Sequence, residues 1–303
     1  MAERSHRLQE TSLRYFLEVV RCGSVTEAST RLHVTASAVS RQIAVLEDVL
    51  KVSLFDRQPR GMIPSAAGEL LAVHAQRGAL EADRVVSDID GLQGLRSGRI
   101  RIAACPGFAV EFLPRTIAAF RAEYPGITFH LRVLSPADVT AAVLRGDVDI
   151  GLNYSRAAER NIRVEHRQAA SVLAIMRPDH ALAHFHSVTL AQMQPFPIAL
   201  PEVDNTVRQL FDIGCSEQQI AFDPVFVCNQ FETLTNFVMN GGGLSISGLI
   251  TIGDRVERGE LHAVEIRERG MSQRSIEFQT LNGRTLPEVV RVFLEYLRTH
   301  MRV

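Results

Sequence analysis

Cysteine and long apolar runs are scarce in this sequence of 303 residues, and each shortage excludes a class of protein. The four cysteines have neither Cys-x-x-Cys spacing nor paired histidines, which argues against a disulfide framework or a zinc finger. No apolar run approaches the roughly 18 residues that span a membrane, and the start of the chain lacks the apolar core of a signal peptide. We therefore expect the protein to stay in the cytoplasm.

Catalytic and metal-binding motifs are also missing. The sequence contains no Gly-x-Ser-x-Gly, P-loop, Gly-x-Gly-x-x-Gly or His-Glu-x-x-His motif, so we expect neither enzymatic activity nor a cofactor. His180, His184 and His186 are spaced closely enough to hold zinc, but such residues are more typical of a solvated loop. The net charge of -1 does not indicate a uniformly basic, nucleic-acid-binding chain, so the distribution of charge matters more than its total.

The length, with 46% apolar and 22% charged residues, suits a folded chain with a small head and a larger body. Changes of pattern divide it into a head at residues 1–64, a linker helix at residues 65–97 and a body at residues 98–303. The body starts with the strand-like RIRIAA and then alternates strand and helix patterns. A closing helix is predicted to begin at Pro287.

Two short helices joined by a tight turn are predicted in the head. Ser24, with Glu27 three residues later, has the pattern of a capping box that starts the first helix. Thr35 is a suitable N-cap for the second. The second helix buries one face at spacings of four and three residues, formed by Val39, Ile43 and Leu46. This pattern indicates a helix-turn-helix.

The opposite face of the second helix is small and polar, which allows close approach to base edges in the major groove. A hairpin wing is predicted at SLFDRQPRGMIP, and its arginines suit phosphates or the minor groove. An ordinary solvated surface is the alternative for both. The predicted DNA-contacting residues are Ser24, Thr35, Ala36, Ser37, Ser40, Arg41, Gln42, Arg57 and Arg60.

Together these residues resemble the LysR-type transcriptional regulators. The specific part is LRYFLEVVRCGSVTEASTRLHVTASAVSRQIAVLEDVLKVSLFDR, followed by the AAG that opens the linker helix. The body adds weaker segments in the family's order, namely SGRIRIAA, FLPRTIAAFRAEYPGITFHL, LRGDVDIGL, RPDHALA and FETLTNFVMNGGGLSIS. The resemblance covers almost the whole chain.

The sequence departs from the family pattern at three points. Thr35-Ala36-Ser37 opens the recognition helix where the family often has Ser-Gln-Pro or Ser-Gln-Ser, so no known operator preference transfers to this chain. Ser65 replaces the threonine that usually precedes the linker helix and is expected to cap it. Gly248 stands where the family usually has proline after the glycine-rich segment.

The resemblance implies an α+β multidomain fold with a winged helix-turn-helix, a linker helix and a two-lobed α/β body like that of periplasmic binding proteins. Lobe I is expected at about residues 98–157 and 268–303, and lobe II at about residues 158–267. An apolar stripe on the linker helix favours a homodimer on an interrupted palindrome of double-stranded DNA, with packing of the stripe on the body as the alternative. The family implies a homotetramer. The stripe consists of Leu71, Ala75, Ala82, Val86, Ile89 and Leu92.

Ligands of such α/β lobes bind at the carboxyl ends of strands, where helix N-termini offer N–H groups. The residues expected there are small or carry hydroxyls, which suits a carboxylate or another anion, although ordinary turns have the same composition. We therefore predict a small, anionic effector that binds between the lobes and changes their angle. The predicted contacts are Cys105, Pro106, Gly107, Phe108, Ser135, Pro136, Leu200, Asn229, Gln230, Phe231 and Ser245.

A redox-responsive regulator of the same architecture is the alternative. Some LysR-type regulators form a reversible disulfide in lobe II, where Cys215 and Cys228 lie. Cys228 ends an apolar, strand-like run, where a buried and inert thiol is the default. Cys105, at the expected mouth of the cleft, is better placed to react.

Overall fold

A computed structural model describes residues 10–58, 61–91, 97–155 and 159–301 of the chain. The chain divides into two compact units, residues 1–95 with 284–288 and residues 96–283 with 289–303. Each unit buries an apolar core of its own. In the described part of the chain, no helix is long and apolar enough to cross a membrane.

The first unit contains the two short helices, the hairpin and the long helix that the sequence predicts, preceded by one further helix. Their bounds are α1 Thr11–Cys22, α2 Val25–Leu32, α3 Ala36–Leu50, β1 Phe55–Gln58, β2 Gly61–Pro64 and α4 Ala66–Gly91. Phe16 and Val39 are fully buried at the centre of the helices, and Leu54 and Phe55 anchor the start of the hairpin in the same core. Ile43 and Leu46 are buried together with Val39, so the buried face predicted for the second helix of the helix-turn-helix is confirmed.

Side-chain caps position these helices. The Ser24 Oγ accepts a hydrogen bond from the Glu27 amide at 3.3 Å, and the Thr35 Oγ1 accepts one from the Ala38 amide at 3.2 Å. The Ser65 Oγ accepts from the Gly68 amide at 3.1 Å, which confirms its predicted capping role. The Glu27 carboxylate accepts instead from Arg31 at 2.6 Å, so it forms an i, i+4 pair on the surface of α2.

The apolar stripe predicted on α4 is partly covered within the chain itself. Ala75, Ala82 and Val86 are buried and Leu71 is half-buried, whereas Ile89 is 49% exposed. Leu92 lies outside the described residues. Half of the six stripe residues are therefore buried within the chain. The homodimer favoured by the stripe stays a prediction.

The second unit contains the remaining strands and helices. Its strands are β3 Gly98–Ala104, β4 Ile127–Val133, β5 Ile150–Ser155, β6 Ile162–Ala169, β7 Leu173–Met176, β8 Ser187–Val188, β9 Ala199–Pro201, β10 Phe226–Cys228, β11 Ser245–Ser247, β12 His262–Ile266 and β13 Ser275–Leu281. Its α-helices are α5 Pro106–Val110, α6 Phe112–Glu123, α7 Pro136–Leu144, α8 Leu190–Met193, α9 Thr206–Gln218, α10 Phe231–Met239, α11 Leu249–Glu257 and α12 Glu288–His300. A 3-10 turn covers Arg269–Ser272.

Lobe I is built on a five-stranded sheet in the order β4-β3-β5-β13-β6. β4, β3 and β5 are parallel, and β13 runs antiparallel to both β5 and β6. The closing helix α12 begins directly after Pro287, as predicted. It packs Phe293 against Phe120 of α6 and Phe129 of β4, with ring centroids 5.0 and 4.8 Å apart.

The predicted boundary between the lobes needs a correction. Lobe II was expected at about residues 158–267, but β6 pairs along its length with β13 and so belongs to the sheet of lobe I. β6 is an edge strand with alternating exposed and half-buried residues. Its pattern is therefore equally compatible with either lobe, and only the pairing with a strand more than a hundred residues away decides the assignment.

Lobe II contains a four-stranded sheet, β11-β7-β12-β8, and the parallel pair β9 and β10. The chain passes from lobe I to lobe II after β6 and returns through the 3-10 turn before β13. The two passages are hydrogen-bonded to each other, because the Ala170 amide donates to the Arg274 carbonyl at 3.1 Å and the Val172 amide to the Met271 carbonyl at 2.8 Å.

Candidate DNA-binding face and effector cavity

The face of α3 opposite the core carries the side chains predicted to contact bases. Ala36, Ser37, Ser40 and Arg41 are exposed, and Gln42 is half-exposed. Thr35 is exposed but its Oγ1 is already engaged by the Ala38 amide and by the Ser37 Oγ at 3.1 Å. The start of α3 is therefore small and polar at the surface, and Arg41 is the cation among these side chains.

The other three residues predicted to contact DNA, Ser24, Arg57 and Arg60, lie outside α3. Ser24 is half-buried, and its hydroxyl caps α2. The backbone of Arg57 belongs to β1, whereas its side chain, together with Arg60 as a whole, lies outside the described residues.

In the body, helix N-termini from both lobes converge on a cavity of about 290 Å³. α5 and α7 of lobe I and α9 and α10 of lobe II all begin at its wall. Ser135 caps α7 by accepting from the Asp138 amide at 3.3 Å. Eight of the eleven residues predicted to contact an effector line the cavity, namely Cys105, Pro106, Gly107, Ser135, Pro136, Asn229, Gln230 and Phe231.

The remaining three predicted contacts are wrong in position. Phe108 is fully buried and stacks on Tyr154, with ring centroids 4.8 Å apart. Leu200 in β9 and Ser245 in β11 are buried in the core of lobe II and do not line the cavity. The sequence correctly indicated which strands and turns lead to the cavity. It did not indicate which side chains of those segments point into the cavity and which point into the core.

Sequence reasoning missed several residues that also line the cavity. Asn205 caps α9 by accepting from the Val207 amide at 2.9 Å, and this local pattern was open to prediction. Tyr154, Thr251 and Arg274 had no such signal, because they reach the cavity from segments that are distant in sequence. Glu202 and Asp204 add exposed carboxylates.

Arg274 is a buried cation in the wall of this cavity. Its side chain is 2% exposed, and its guanidinium carbon lies 4.2 Å from the ring centroid of Tyr154. The Nε donates to the Ala170 carbonyl at 3.1 Å, whereas Nη1 and Nη2 have no hydrogen-bond partner among the described residues. Burial lowers the pKa of Arg274 from its ordinary value, although a guanidinium keeps its proton in proteins.

The buried cysteines are protonated thiols at neutral pH. Burial raises the pKa of Cys105 to about 12, and its Sγ donates to the Asn153 Oδ1 at 3.0 Å. Burial likewise raises the pKa of Cys215 to about 12. Since the thiolate is the reactive form, Cys105 is poorly placed to react, contrary to the prediction from sequence.

The histidines of the RPDH segment and the following loop do not form a metal centre. His180 packs edge-on against Phe196 with ring centroids 4.6 Å apart, while His184 and His186 are exposed. Within the described ranges, no group of three His, Cys, Asp or Glu side chains is arranged to hold a metal ion.

A winged helix-turn-helix with an exposed polar helix, joined to a two-lobed body with a cavity between its lobes, defines a DNA-binding regulator with an effector-binding domain. Family models agree on both parts. The bacterial regulatory helix-turn-helix model of the lysR family matches residues 11–69, and the LysR substrate binding domain model matches residues 93–302. The chain belongs to the LysR-type transcriptional regulator family.

Known proteins show the same similarity over most of the chain. LrrA of Synechococcus elongatus, described as an HTH-type transcriptional regulator, is 30% identical over 239 residues, which cover 78% of this chain and 79% of that protein. The HTH-type transcriptional regulator YeiE of Escherichia coli K12 is 31% identical over 254 residues, covering 84% and 85%. A full-length OxyR variant from Pseudomonas aeruginosa has the same fold, with a TM-score of 0.70, 16% identity and coverage of 95% and 94%.

Proposed function

We propose that this regulator binds a specific operator through α3 and that a small anionic molecule in the cavity between the lobes controls the binding. The observation that carries the proposal is the convergence of eight predicted effector contacts on one cavity that also contains a buried arginine. A bound molecule that contacts both lobes alters the equilibrium between their arrangements, so it acts by a population shift. No catalytic step is part of this mechanism.

The head supports sequence-specific binding through few direct base contacts. Ala36 and Ser37 permit close approach of the helix backbone, and Ser40 and Arg41 can hydrogen-bond to base edges. With so few donors, sequence-dependent DNA shape supplies part of the specificity. Because DNA is the partner, the proposal places the protein in the cytoplasm.

The proposal includes a homodimer on an interrupted palindrome, and a homotetramer as the family implies. Leu70, Val73 and Ile89 are large apolar side chains of α4 that are exposed by 77%, 53% and 49%. Their exposure supports a partner for this helix, although only Ile89 belongs to the stripe predicted from the sequence. Sedimentation of the full chain measures the oligomeric state.

The first experiment is a footprint of the purified full chain on its own upstream intergenic DNA across a salt series. We expect protection of an interrupted palindrome in the native protein. Replacing Ser40 and Arg41 with alanine should abolish this protection while weak, salt-sensitive binding to all DNA remains. Arg298→Ala, an exposed change on the closing helix, is the control and should leave the footprint unchanged. Equal protection by the double variant and the native protein contradicts the assignment of α3.

The redox alternative has little support from Cys105 and Cys215. Cys105 and Cys215 are buried, with pKa values raised to about 12, which keeps them in the unreactive thiol form. We therefore expect hydrogen peroxide to leave the footprint unchanged. A footprint that changes with peroxide and recovers with dithiothreitol would favour the redox mechanism over a small-molecule effector.

A further inference from the structure

The positive charge of Arg274 has no partner of opposite charge within the described residues. Two of its three guanidinium nitrogens lack hydrogen-bond acceptors, and the side chain is almost completely buried. Its neighbours are the Tyr154 ring, the Cys105 thiol and the Ala170 carbonyl, none of which carries a negative charge at neutral pH. A buried charge without a partner is destabilising, so buried charges are as a rule paired.

We propose that Arg274 binds the negatively charged group of the effector, and that the effector is a small molecule with a single carboxylate or a similar monoanionic group. This inference rests on the proposed function for the location of the site. It adds the residue that anchors the ligand and the charge that the ligand carries.

The geometry of the guanidinium suits a carboxylate. Its face is covered by Tyr154, at 4.2 Å, and Nε donates to Ala170. Nη1 and Nη2 are the donors without a partner among the described residues, and both are buried. Two such nitrogens in one plane match the two oxygens of a carboxylate. A ligand group that pairs with them would complete the hydrogen bonding of the arginine.

Gly248 provides the space for this guanidinium. A Cβ at position 248 would lie 2.5 Å from Nη2 of Arg274, which is closer than non-bonded contacts allow. This is the position where the sequence departs from the usual proline of the family. The departure and the buried arginine therefore fit each other, although they are 26 residues apart.

The uncharged part of the wall is also adapted to a close ligand. A Cβ at Gly107 would lie 2.6 Å from the Thr251 Oγ1 and 3.0 Å from the Tyr154 hydroxyl. The glycine thus leaves two hydroxyl groups next to the start of α5, in the wall that also contains Arg274. Hydroxyls donate to or accept from the ligand without adding charge.

The acidic side chains in the wall restrict the effector to one negative charge. Glu202 and Asp204 line the same cavity and are exposed. Arg274 neutralises one negative group, whereas a second would meet these carboxylates and be repelled. A neutral analogue would leave the arginine unpaired, so both kinds of molecule should bind more weakly than a monoanion.

Thermal unfolding of the full chain tests this with matched probes: propanoate and benzoate as monoanions, propanamide and benzamide as neutral analogues, and succinate and phthalate as dianions. We expect at least one monoanion to raise the unfolding midpoint in a concentration-dependent way, and its amide and dianion counterparts to do so far less. Stabilisation by amides as strong as that by carboxylates, or no stabilisation by either monoanion, overturns the proposal.

Substitutions at position 274 test whether Arg274 is the residue that binds the monoanion. Arg274→Gln should weaken monoanion binding by about 10- to 100-fold, as expected for lost hydrogen bonds to a charged group. Arg274→Lys should retain part of the preference for carboxylates over amides, because the charge remains. The control is Arg267→Gln, since Arg267 is exposed and donates to the Ser187 Oγ at 3.0 Å, and it should bind like the native protein. Native-like binding by Arg274→Gln overturns the assignment.

The unfolding midpoint measured without ligand shows whether Arg274 serves to bind a ligand or to stabilise the fold. Arg274→Met removes the unpaired charge and keeps an apolar chain of similar length, so its unfolding midpoint should be equal to or above that of the native protein. A lower midpoint would assign Arg274 a structural role and overturn the proposal. If the monoanion effects hold but no monoanion alters the footprint, the charge assignment stands and the proposed effector control fails.

Discussion

At the scale of single residues, Cys105 and Tyr154 are buried acids in the wall of the effector cavity. Burial raises the pKa of Cys105 from 9.0 to about 12 and that of Tyr154 from 10.0 to about 12, while Arg274 nearby opposes both increases. Both side chains are therefore neutral in the folded protein throughout the physiological pH range. The buried positive charge of Arg274 is thus left for a ligand to neutralise.

These two groups predict a loss of stability at alkaline pH. In the unfolded chain the thiol and the phenol lose their protons near pH 9 and pH 10, but in the folded chain only near pH 12. The unfolded state then binds fewer protons, so the stabilisation is complete below pH 9 and is lost as the pH rises to 12. Each group should contribute a slope of about 1 kcal/mol per pH unit within its window.

Urea unfolding at pH 8, 9.5 and 10.5 measures this slope. Tyr154→Phe and Cys105→Ala should each make the decline shallower, because each removes one of the groups that titrate. An unchanged slope in both variants would show that other groups cause the alkaline loss.

Residue-level prediction succeeded where the partners are close in sequence. Ser24, Thr35 and Ser65 cap the helices that follow them, and each bonds to an amide three residues ahead. Arg274 was missed because its surroundings come from Ala170, Tyr154 and other distant segments. A sequence pattern contains no sign of such contacts, since an arginine after a polar turn is ordinarily exposed.

At the scale of elements, Gly68 and Gly78 of the linker helix α4 have opposite roles. A Cβ at Gly68 would lie 2.1 Å from the Leu54 carbonyl oxygen, so the helix start can approach the wing only with glycine. A Cβ at Gly78 has no neighbour within 4 Å. The glycine of the family-like AAG sequence is therefore explained by a close backbone approach.

Alanine at each position distinguishes these roles. Gly78→Ala should stabilise the chain by roughly 0.5–1 kcal/mol, because alanine favours helix and meets no obstacle. Gly68→Ala gains the same propensity but forces α4 away from Leu54, so it should be destabilising by about 1–3 kcal/mol. Denaturant unfolding of both variants checks the signs, and stabilisation by Gly68→Ala would contradict the packing of helix on wing.

Prediction of the elements failed where their place in the fold depends on contacts with segments that are distant in sequence. The order of strands and helices along the body agrees with the family resemblance, and α12 begins where Pro287 predicts. The strand β6 was placed in the wrong lobe because its assignment depends on β13. Half of the predicted stripe on α4 is buried within one chain for a similar reason, since periodicity identifies an apolar face but not what covers it.

At the scale of the whole body, charged side chains join the two lobes on another side of the fold. Glu111, between α5 and α6 of lobe I, accepts from the Asp254 amide of α11 at 2.8 Å and lies 3.4 Å from the Arg255 Nε. Arg115 of α6 also pairs with the Asp254 carboxylate. Any change of angle between the lobes has to lengthen or rearrange these contacts.

Glu111→Gln tests this connection. The variant keeps the size of the side chain but removes the charge, so α11 should open more often and the Asp254 amide should exchange its hydrogen about 10-fold faster. Glu295→Gln, an exposed change on α12, is the control. Exchange rates that are equal in Glu111→Gln and the native protein would show that the contact does not restrain α11.

The position of Arg274 limits how the effector of such a regulator can change in evolution. Its backbone carbonyl accepts from the Ala170 amide, so the residue proposed to select the charge of the effector lies within one of the two passages between the lobes. Residues such as Thr206 and Asn229 line the cavity from elements that do not form these passages. A descendant of this protein can therefore exchange one acid for another by changing those residues, whereas acquiring a neutral or cationic inducer requires a substitution within the passage itself, at position 274.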